Sequence, residues 1–385
     1  MDTSDLNRPR ISPVFARRSS LEVASPNERQ ILDLLRRQPG SSRADLARAV
    51  GLTNQSLTRI IDDLAGRKLV RLGPSQARGR GQPSSPVYIC PDGAYTAGIS
   101  LMTDALHLGV MNFDGEIAVS SYVRLNTADV DLVLATAGAF IDRAFVDLRL
   151  PRERLLGAGI GITGYFIGDG AKVNPPPHLD SWALVDVAER FERALNLPIW
   201  LDNDGNVAAV GESLVGAGTE LGAFAYLFFS AGFGGGLIID RKLYRGAHGN
   251  AGEFASVLPD EFMSPNLENL RQSLAAKGRS FANLGDMLEA FDPEWDGVDD
   301  WSREAVKSLN LVISAISAIA DLEAIVFGGR MPKSLADKLI PQLAFFNPLR
   351  RERRRPVPRL ITSEARQDAA MTGAAALPLK ALFYG

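Results

Sequence analysis

The sequence predicts an α/β chain with a small basic helical head and a large duplicated body, and three observations carry that prediction. Charge is segregated: residues 1–90 hold 15 Lys and Arg against 8 Asp and Glu, a net +7, while the remainder holds 27 against 37, a net −10. Within the basic part, three short stretches combine helix caps with helical apolar spacing, and two strand-like runs follow them. Beyond it, a block of apolar strands and tight turns, AYTAGISLMTDALHLGVMNFDGEIAVSSYV, is echoed by AFAYLFFSAGFGGGLIIDRKLY. A basic module on an acidic body implies nucleic-acid contact by the head alone. The 385 residues suit two or three domains, and 46% hydrophobic content supports a large core.

Composition excludes several classes. Cys90 is the single cysteine, so no internal disulfide forms and a reducing compartment is expected. The N-terminus is polar, without an apolar signal segment. The uncharged run 221–239 has the length of a membrane span, but its glycines and charged flanks predict a buried strand pair. The expected location is cytoplasmic, with no membrane partner.

Taken in order, residues 1–24 read as a disordered basic arm, with Arg8, Arg10, Arg17 and Arg18 scattered among Ser, Pro and Asn. A solvated tail is the expectation, and weak phosphate contact the alternative. Residues 25–90 read as a winged helix-turn-helix. Ser25-Pro26-Asn27-Glu28 carries a cap, a proline at the first helical position and a glutamate at the third. Ile31, Leu34 and Leu35 mark its apolar face, and Pro39-Gly40 stops the helix. Ser42 caps a second helix with Leu46, Ala47 and Val50 inward, and Gly51 turns the chain. Thr53 caps a third helix, on which Leu57, Ile60, Ile61 and Leu64 share one face. Its other face offers Asn54, Gln55 and Arg59 as base readers and Ser56 and Thr58 as phosphate contacts, although sequence does not separate those roles. Leu69–Leu72 and Val87–Cys90 pair as a wing. Arg78 and Arg80, in the thin cationic tip between them, suit a minor groove or a phosphate run.

Pro91-Asp92-Gly93 marks the boundary to the body, 91–385. Its repeated strand block fits a duplicated α/β fold of the actin-like ATPase type, with a cleft between halves. The stretch 200–256 organises it. WLDNDGNVAAVGE leads through an apolar strand to SAGFGGGLIIDRKLYRGAHGNAGEFAS. Asp204 and Glu253 each adjoin a tight turn, and carboxylates converging on one cleft accept strong hydrogen bonds from sugar hydroxyls.

This stretch resembles the ROK family of repressors, open reading frames and sugar kinases. The shared motifs are NDGN at 203–206, AAVGE at 208–212, a glycine-rich turn GFGGG at 232–236, and GAHGNAGE at 246–253. The resemblance runs from about Ser25 to the end and includes the GRGRP-like wing, with Gln82 where arginine is common. It implies a sugar-kinase-like body with a central cleft in which Asn203, Asp204 and Glu253 hold a sugar. Two departures matter. Where the kinases carry a DxGGT-like turn for magnesium and ATP, this chain has Ser100-Leu101-Met102-Thr103-Asp104, which removes the aspartate, fills the phosphate approach and adds a repelling charge. Where many members carry a zinc-binding histidine and cysteines, this chain has Ser256 and no thiolate, so no metal and no cofactor is implied. NPPPHLDSW at 174–182 resembles the loop beside the sugar, with His178 in place of asparagine; it is either a ligand contact or structural. Glu268, left from the lost zinc segment, either reaches the ligand or is an exposed helical residue.

Residues 302–320 predict a long helix for the core or a dimer interface, 325–329 a strand ending in a glycine turn, and 368–376 a small-residue helix. The basic run 350–355 reads as a solvated loop or interdomain contact. The sum is a DNA-binding regulator, a repressor, whose partners are a double-stranded operator, a sugar or sugar derivative, and further copies of itself as a homodimer or dimer of dimers. The alternatives are a ROK-type sugar kinase with a DNA-binding appendage and a constitutive DNA-binding protein whose body only dimerises.

Overall fold

The structure, a computed structural model, describes residues 10–17, 23–74, 85–168, 172–365 and 369–384. The head comprises α1 (Pro26–Arg37), β1 (Ser41–Ser42), α2 (Arg43–Val50), α3 (Asn54–Gly66), β2 (Val70–Leu72) and β3 (Pro86–Ile89). Each helix starts at the residue that the sequence marks. The Ser25 hydroxyl accepts from the Glu28 amide, and the Glu28 carboxylate accepts in return from the Ser25 amide at 2.6 Å. Ser42 and Thr53 accept from the amides of Asp45 and Ser56. Ile31, Leu35, Leu46, Leu57, Ile61 and Leu64 are buried as expected; Leu34, Val50 and Ile60 are half-buried against them, and Leu32 joins the core unpredicted. β2 and β3 pair antiparallel, with β1 on the far side of β3.

The expected free arm is corrected where it is described. Residues 10–17 pack on the head, with a 3-10 turn at Pro13–Phe15 and the Phe15 ring fully buried. Arg67 is the reason. From the end of α3 it donates to the Phe15 carbonyl at 3.3 Å and the Val23 carbonyl at 2.6 Å, while its guanidinium pairs with Glu28 and, at 2.9 Å, with Asp63. Arg17 adds an ion pair to Glu28 at 3.0 Å.

The first half of the body contains β4 (Tyr95–Leu101), β5 (Ala105–Asn112), β6 (Ile117–Arg124), α4 (Val130–Asp147), β7 (Leu155–Ile162), β8 (Tyr165–Phe166), β9 (Val173–Asn174), α5 (Val187–Leu195), β10 (Ile199–Asn203) and α6 (Asp204–Val215). The second contains β11 (Phe224–Phe229), β12 (Phe233–Ile239), β13 (Lys242–Tyr244), α7 (Leu267–Ala276), α8 (Leu284–Glu289), α9 (Val298–Ala320), β14 (Ala324–Gly329), α10 (Lys333–Leu339), β15 (Arg359–Thr362) and α11 (Ala369–Leu382). The two five-stranded sheets share one plan. The first runs β6-β5-β4-β7-β10 and the second β13-β12-β11-β14-β15, each an antiparallel meander continued by two parallel strands. The duplication expected from the repeated strand block is therefore present.

α6 and α11 hold the halves together, and small residues let them touch backbone to backbone. A Cβ on Gly373 would lie 1.6 Å from the Val207 carbonyl oxygen, so any side chain there forces the helices apart. The glycine-rich segment also differs from expectation. Gly232 lies in the turn, but Gly234–Gly236 belong to β12, where they admit the start of α6: a Cβ on Gly205 would meet the Gly235 carbonyl at 2.6 Å.

Pro91–Gly93 is a 3-10 turn in the chain but not a break in packing. Phe15 meets Phe383 edge-on, Phe113 meets both Phe383 and Tyr384, and head and body share one apolar cluster. Arg154 of the body donates to the head carbonyl of Arg67 at 2.8 Å. Among the described residues, no helix is long and apolar enough to cross a membrane.

Candidate ligand cleft and nucleic-acid face

β7 and β10 run side by side in parallel, so the turn after β7 and the start of α6 meet at one end of the sheet. Asn203 caps α6: its Oδ1 accepts from the Gly205 amide at 2.7 Å, and its Nδ2 donates to the Gly164 carbonyl at 2.7 Å. Asp204, 7% exposed, accepts from the Thr163 hydroxyl at 2.6 Å and the Gly205 amide at 2.9 Å. Glu253 arrives from the second half, straight after Gly252. That glycine has φ +101°, and a Cβ on it would meet the Gly235 carbonyl at 2.6 Å, so the position has no room for a side chain. Asn203, Asp204 and Glu253 line a common pocket of about 120 Å³ with Thr163, Ser230 and Gly234.

This pocket opens into a cavity of about 820 Å³ between the halves, sharing Thr163, Gly164, Tyr165 and Gly232 with it. His178 and Glu268 line the outer cavity, so the five expected ligand residues fall in one cleft at two depths. They are not equivalent. Both oxygens of Glu268 are engaged by Arg271, at 2.6 and 2.9 Å, and that hydrogen-bonded guanidinium holds its carboxyl below the usual range. His178 is exposed at the start of a 3-10 turn.

Burial, reinforced by the negative charge of Asp204, pushes the Glu253 carboxyl up to about 7. The folded protein therefore binds a proton that the unfolded chain releases nearer pH 4.5. The group's contribution is fully present below the unfolded value and is lost as pH rises through about 7. The ligand-free protein should thus lose thermal midpoint between pH 5 and pH 7.5 in a step that Glu253→Gln removes, measured by calorimetry in matched buffers. An unchanged step in that variant would assign the titration elsewhere.

Sequence reading missed Thr163 and Asp202. Asp202, 1% exposed, accepts from the Asn203 amide, from Asn206 Nδ2 at 2.7 Å and from Arg245 Nε at 2.7 Å, bracing the strand end behind the cleft. A run of three polar residues closing an apolar strand was the available signal. The turn after β4 is also altered beyond expectation. Asp104 is bound by Arg330, which directly follows the Gly328-Gly329 turn, at 2.6 and 3.2 Å, and it accepts from the Gly285 amide. Arg124 pairs with Asp286 at 2.8 Å beside it. The two halves are latched across the region that the family resemblance assigns to nucleotide, and Ser100 is buried there. Among the described residues, no group of three or more His, Cys, Asp and Glu could hold a metal ion.

In the head, Asn54, Gln55, Ser56 and Arg59 are exposed at the start of α3, and Thr58 is half-buried. All five line a surface hollow with Asn27 of α1. Arg78 and Arg80 lie outside the described residues.

A winged helix joined to a two-lobed, sugar-kinase-like body, with acidic residues at the inner end of the cleft, defines the class. Residues 96–266 match the ROK family and residues 25–81 the MarR family. The chain is 29% identical over 214 residues to the xylose repressor of Caldicellulosiruptor bescii, covering 55% of this chain and 53% of that protein. It is 31% identical over 167 residues to the glucokinase of Streptomyces coelicolor, covering 43% and 50%. The aligned segments thus span about half of either relative. The crystal structure of a ROK family transcriptional regulator, a homologue of the Escherichia coli MLC protein, superposes with TM-score 0.69 at 20% identity over 93% of this chain and 96% of that one.

Proposed function

We propose that this chain is a DNA-binding transcription regulator, a repressor, whose operator affinity is set by a sugar or sugar derivative in the interlobe cleft. Asp204 and Glu253 accept the hydroxyl hydrogen bonds with Asn203 beside them, Thr163 and the Gly205 amide fix the Asp204 carboxylate, and His178 and Glu268 bound the outer space. The observation that most supports the reading is the convergence of these carboxylates from the two halves on one pocket. A ligand that touches both halves favours one relative placement of them, and the shared apolar cluster carries that placement to the head. In a C2 dimer the two recognition helices then move relative to half-sites spaced by multiples of about 34–36 Å. Moving such a switch from 1:99 to 99:1 needs roughly 5.5 kcal/mol of differential binding, within reach of three or four charge-assisted hydrogen bonds.

The kinase alternative is disfavoured by the Asp104–Arg330 pair and by Met102 and Ser100 in the turn, which leave no magnesium-binding carboxylate where phosphates would lie. A purely dimerising body predicts that no sugar alters DNA affinity. A thermal-shift screen of sugars, polyols and their phosphates, followed by operator binding with each hit, tests the reading; sugar-dependent ATP turnover would reverse it. In the head, Gln55→Ala should relax discrimination at particular bases by about 1–3 kcal/mol, whereas Arg80→Ala should weaken all sequences and reduce the salt slope by about 1. Unchanged binding in both would put the DNA on another face.

A further inference from the structure

A second cavity, of about 400 Å³, lies on the seam between head and body and shares no lining residue with the interlobe cleft. Arg29 of α1 enters it from the head; Arg241, Lys242 and Arg245 enter from around β13, and Lys380 from α11. None of the described residues lining it is Asp or Glu. Arg245 is paired with Asp202. The hydrogen bonds of three others go to neutral acceptors: Arg29 to the Ala24 carbonyl at 3.4 Å, Arg241 to the Thr219 carbonyl at 3.2 Å, and Lys380 to the Ser213 hydroxyl at 3.3 Å. Neutral acceptors satisfy the donors without cancelling the charge. Burial, with Arg36 and Arg245 outweighing the opposing charge of Asp33, pushes the Lys380 amine down to about 8. Trp200 and Leu243 supply an apolar wall. The volume lies within the roughly 300–1,000 Å³ typical of small-molecule sites.

We propose that this seam cavity binds a small phosphomonoester, its phosphate held by Arg29, Arg241 and Lys380 and its carbon skeleton laid against Trp200 and Leu243. A dianion matches several unneutralised cations, and guanidinium forks fit phosphate oxygens in pairs. Because Arg29 belongs to the head and the other cations to the body, the bound anion ties one to the other. The site is separate from the sugar cleft and stands even if the sugar reading fails.

The test uses the full chain, with calorimetry and thermal shift against inorganic phosphate, ribose 5-phosphate and ribose. Ribose 5-phosphate should bind the parent protein and Asp204→Asn alike, more tightly than inorganic phosphate, and ribose should not reproduce it. Lys380→Met combined with Arg241→Gln should weaken it roughly tenfold or more. Arg241→Gln alone, on an exposed side chain, should weaken it measurably without touching the packed seam. Three results would overturn the proposal. One is no binding of either phosphate probe at millimolar concentration. Another is binding lost in Asp204→Asn but kept in the double variant, which places the phosphate in the cleft. The third is loss of binding when operator DNA is present, which assigns these cations to the DNA backbone.

Discussion

Asp204→Ala is expected to leave operator binding intact and to abolish its release by sugar. The carboxylate is 7% exposed and held by the Thr163 hydroxyl and the Gly205 amide, so its orientation is fixed before any ligand arrives. A fixed, charged acceptor loses little freedom on binding, and each hydrogen bond to it contributes about 1.5–3 kcal/mol. Its removal should therefore weaken sugar binding roughly ten- to hundred-fold. The head should be unaffected, because none of its described residues lines this pocket. The outcome is a protein that occupies its operator at sugar concentrations that free the parent. Asp204→Asn keeps the shape and loses the charge, and should fall between the two.

Arg67→Ala is expected to produce the largest loss of stability. Arg67 is 7% exposed and gathers Glu28, Asp63 and the carbonyls of Phe15 and Val23. Truncation leaves the Glu28 carboxylate, itself 2% exposed, to Arg17 and the Ser25 amide, which replace only part of the lost charge. Breaking a buried pair from one side costs about 3–5 kcal/mol, and Arg17 places the expected loss at the lower end. Urea unfolding should show this loss, and limited proteolysis should cut near Phe15, which the arginine no longer anchors. A change below about 1 kcal/mol would mean that the network relaxes around the gap.

The pattern of what sequence reveals follows from the range of the interactions. Ser25, Ser42 and Thr53 announce their helices because a cap acts within three residues. The third helix follows from apolar spacing, and the antiparallel strands of the two sheets, with their duplication, from two similar strand blocks. The gathering of Asn203, Asp204 and Glu253 came from ordered motifs that resemble a family, not from spacing. Arg67 gave little local sign: Asp63 is four residues away, but its other partners, Glu28 and the carbonyls of Phe15 and Val23, lie 39 to 52 residues away. The same holds for Asp104. On its own it reads as a charge that repels phosphate; Arg330, 226 residues later, makes it one half of an interlobe latch. Phe15 falls inside the expected free arm, where a lone aromatic among Arg, Ser and Pro has no periodic partner to mark it. Its partners are Phe383 and the seam, at the opposite end of the chain.

Head and body share a continuous apolar cluster, so the two are joined by packed side chains, and the proposed control by sugar would act through that packing. The central claim is that a sugar held by Asp204 and Glu253 sets the operator affinity of the head. Its most direct test is one titration: operator affinity of the parent protein and of Asp204→Ala, each with and without a sugar that raises the parent's thermal midpoint. The claim predicts that sugar weakens the parent's hold on DNA and leaves that of Asp204→Ala unchanged. Equal affinity of the parent with and without the bound sugar, or an equal response in the variant, would contradict it.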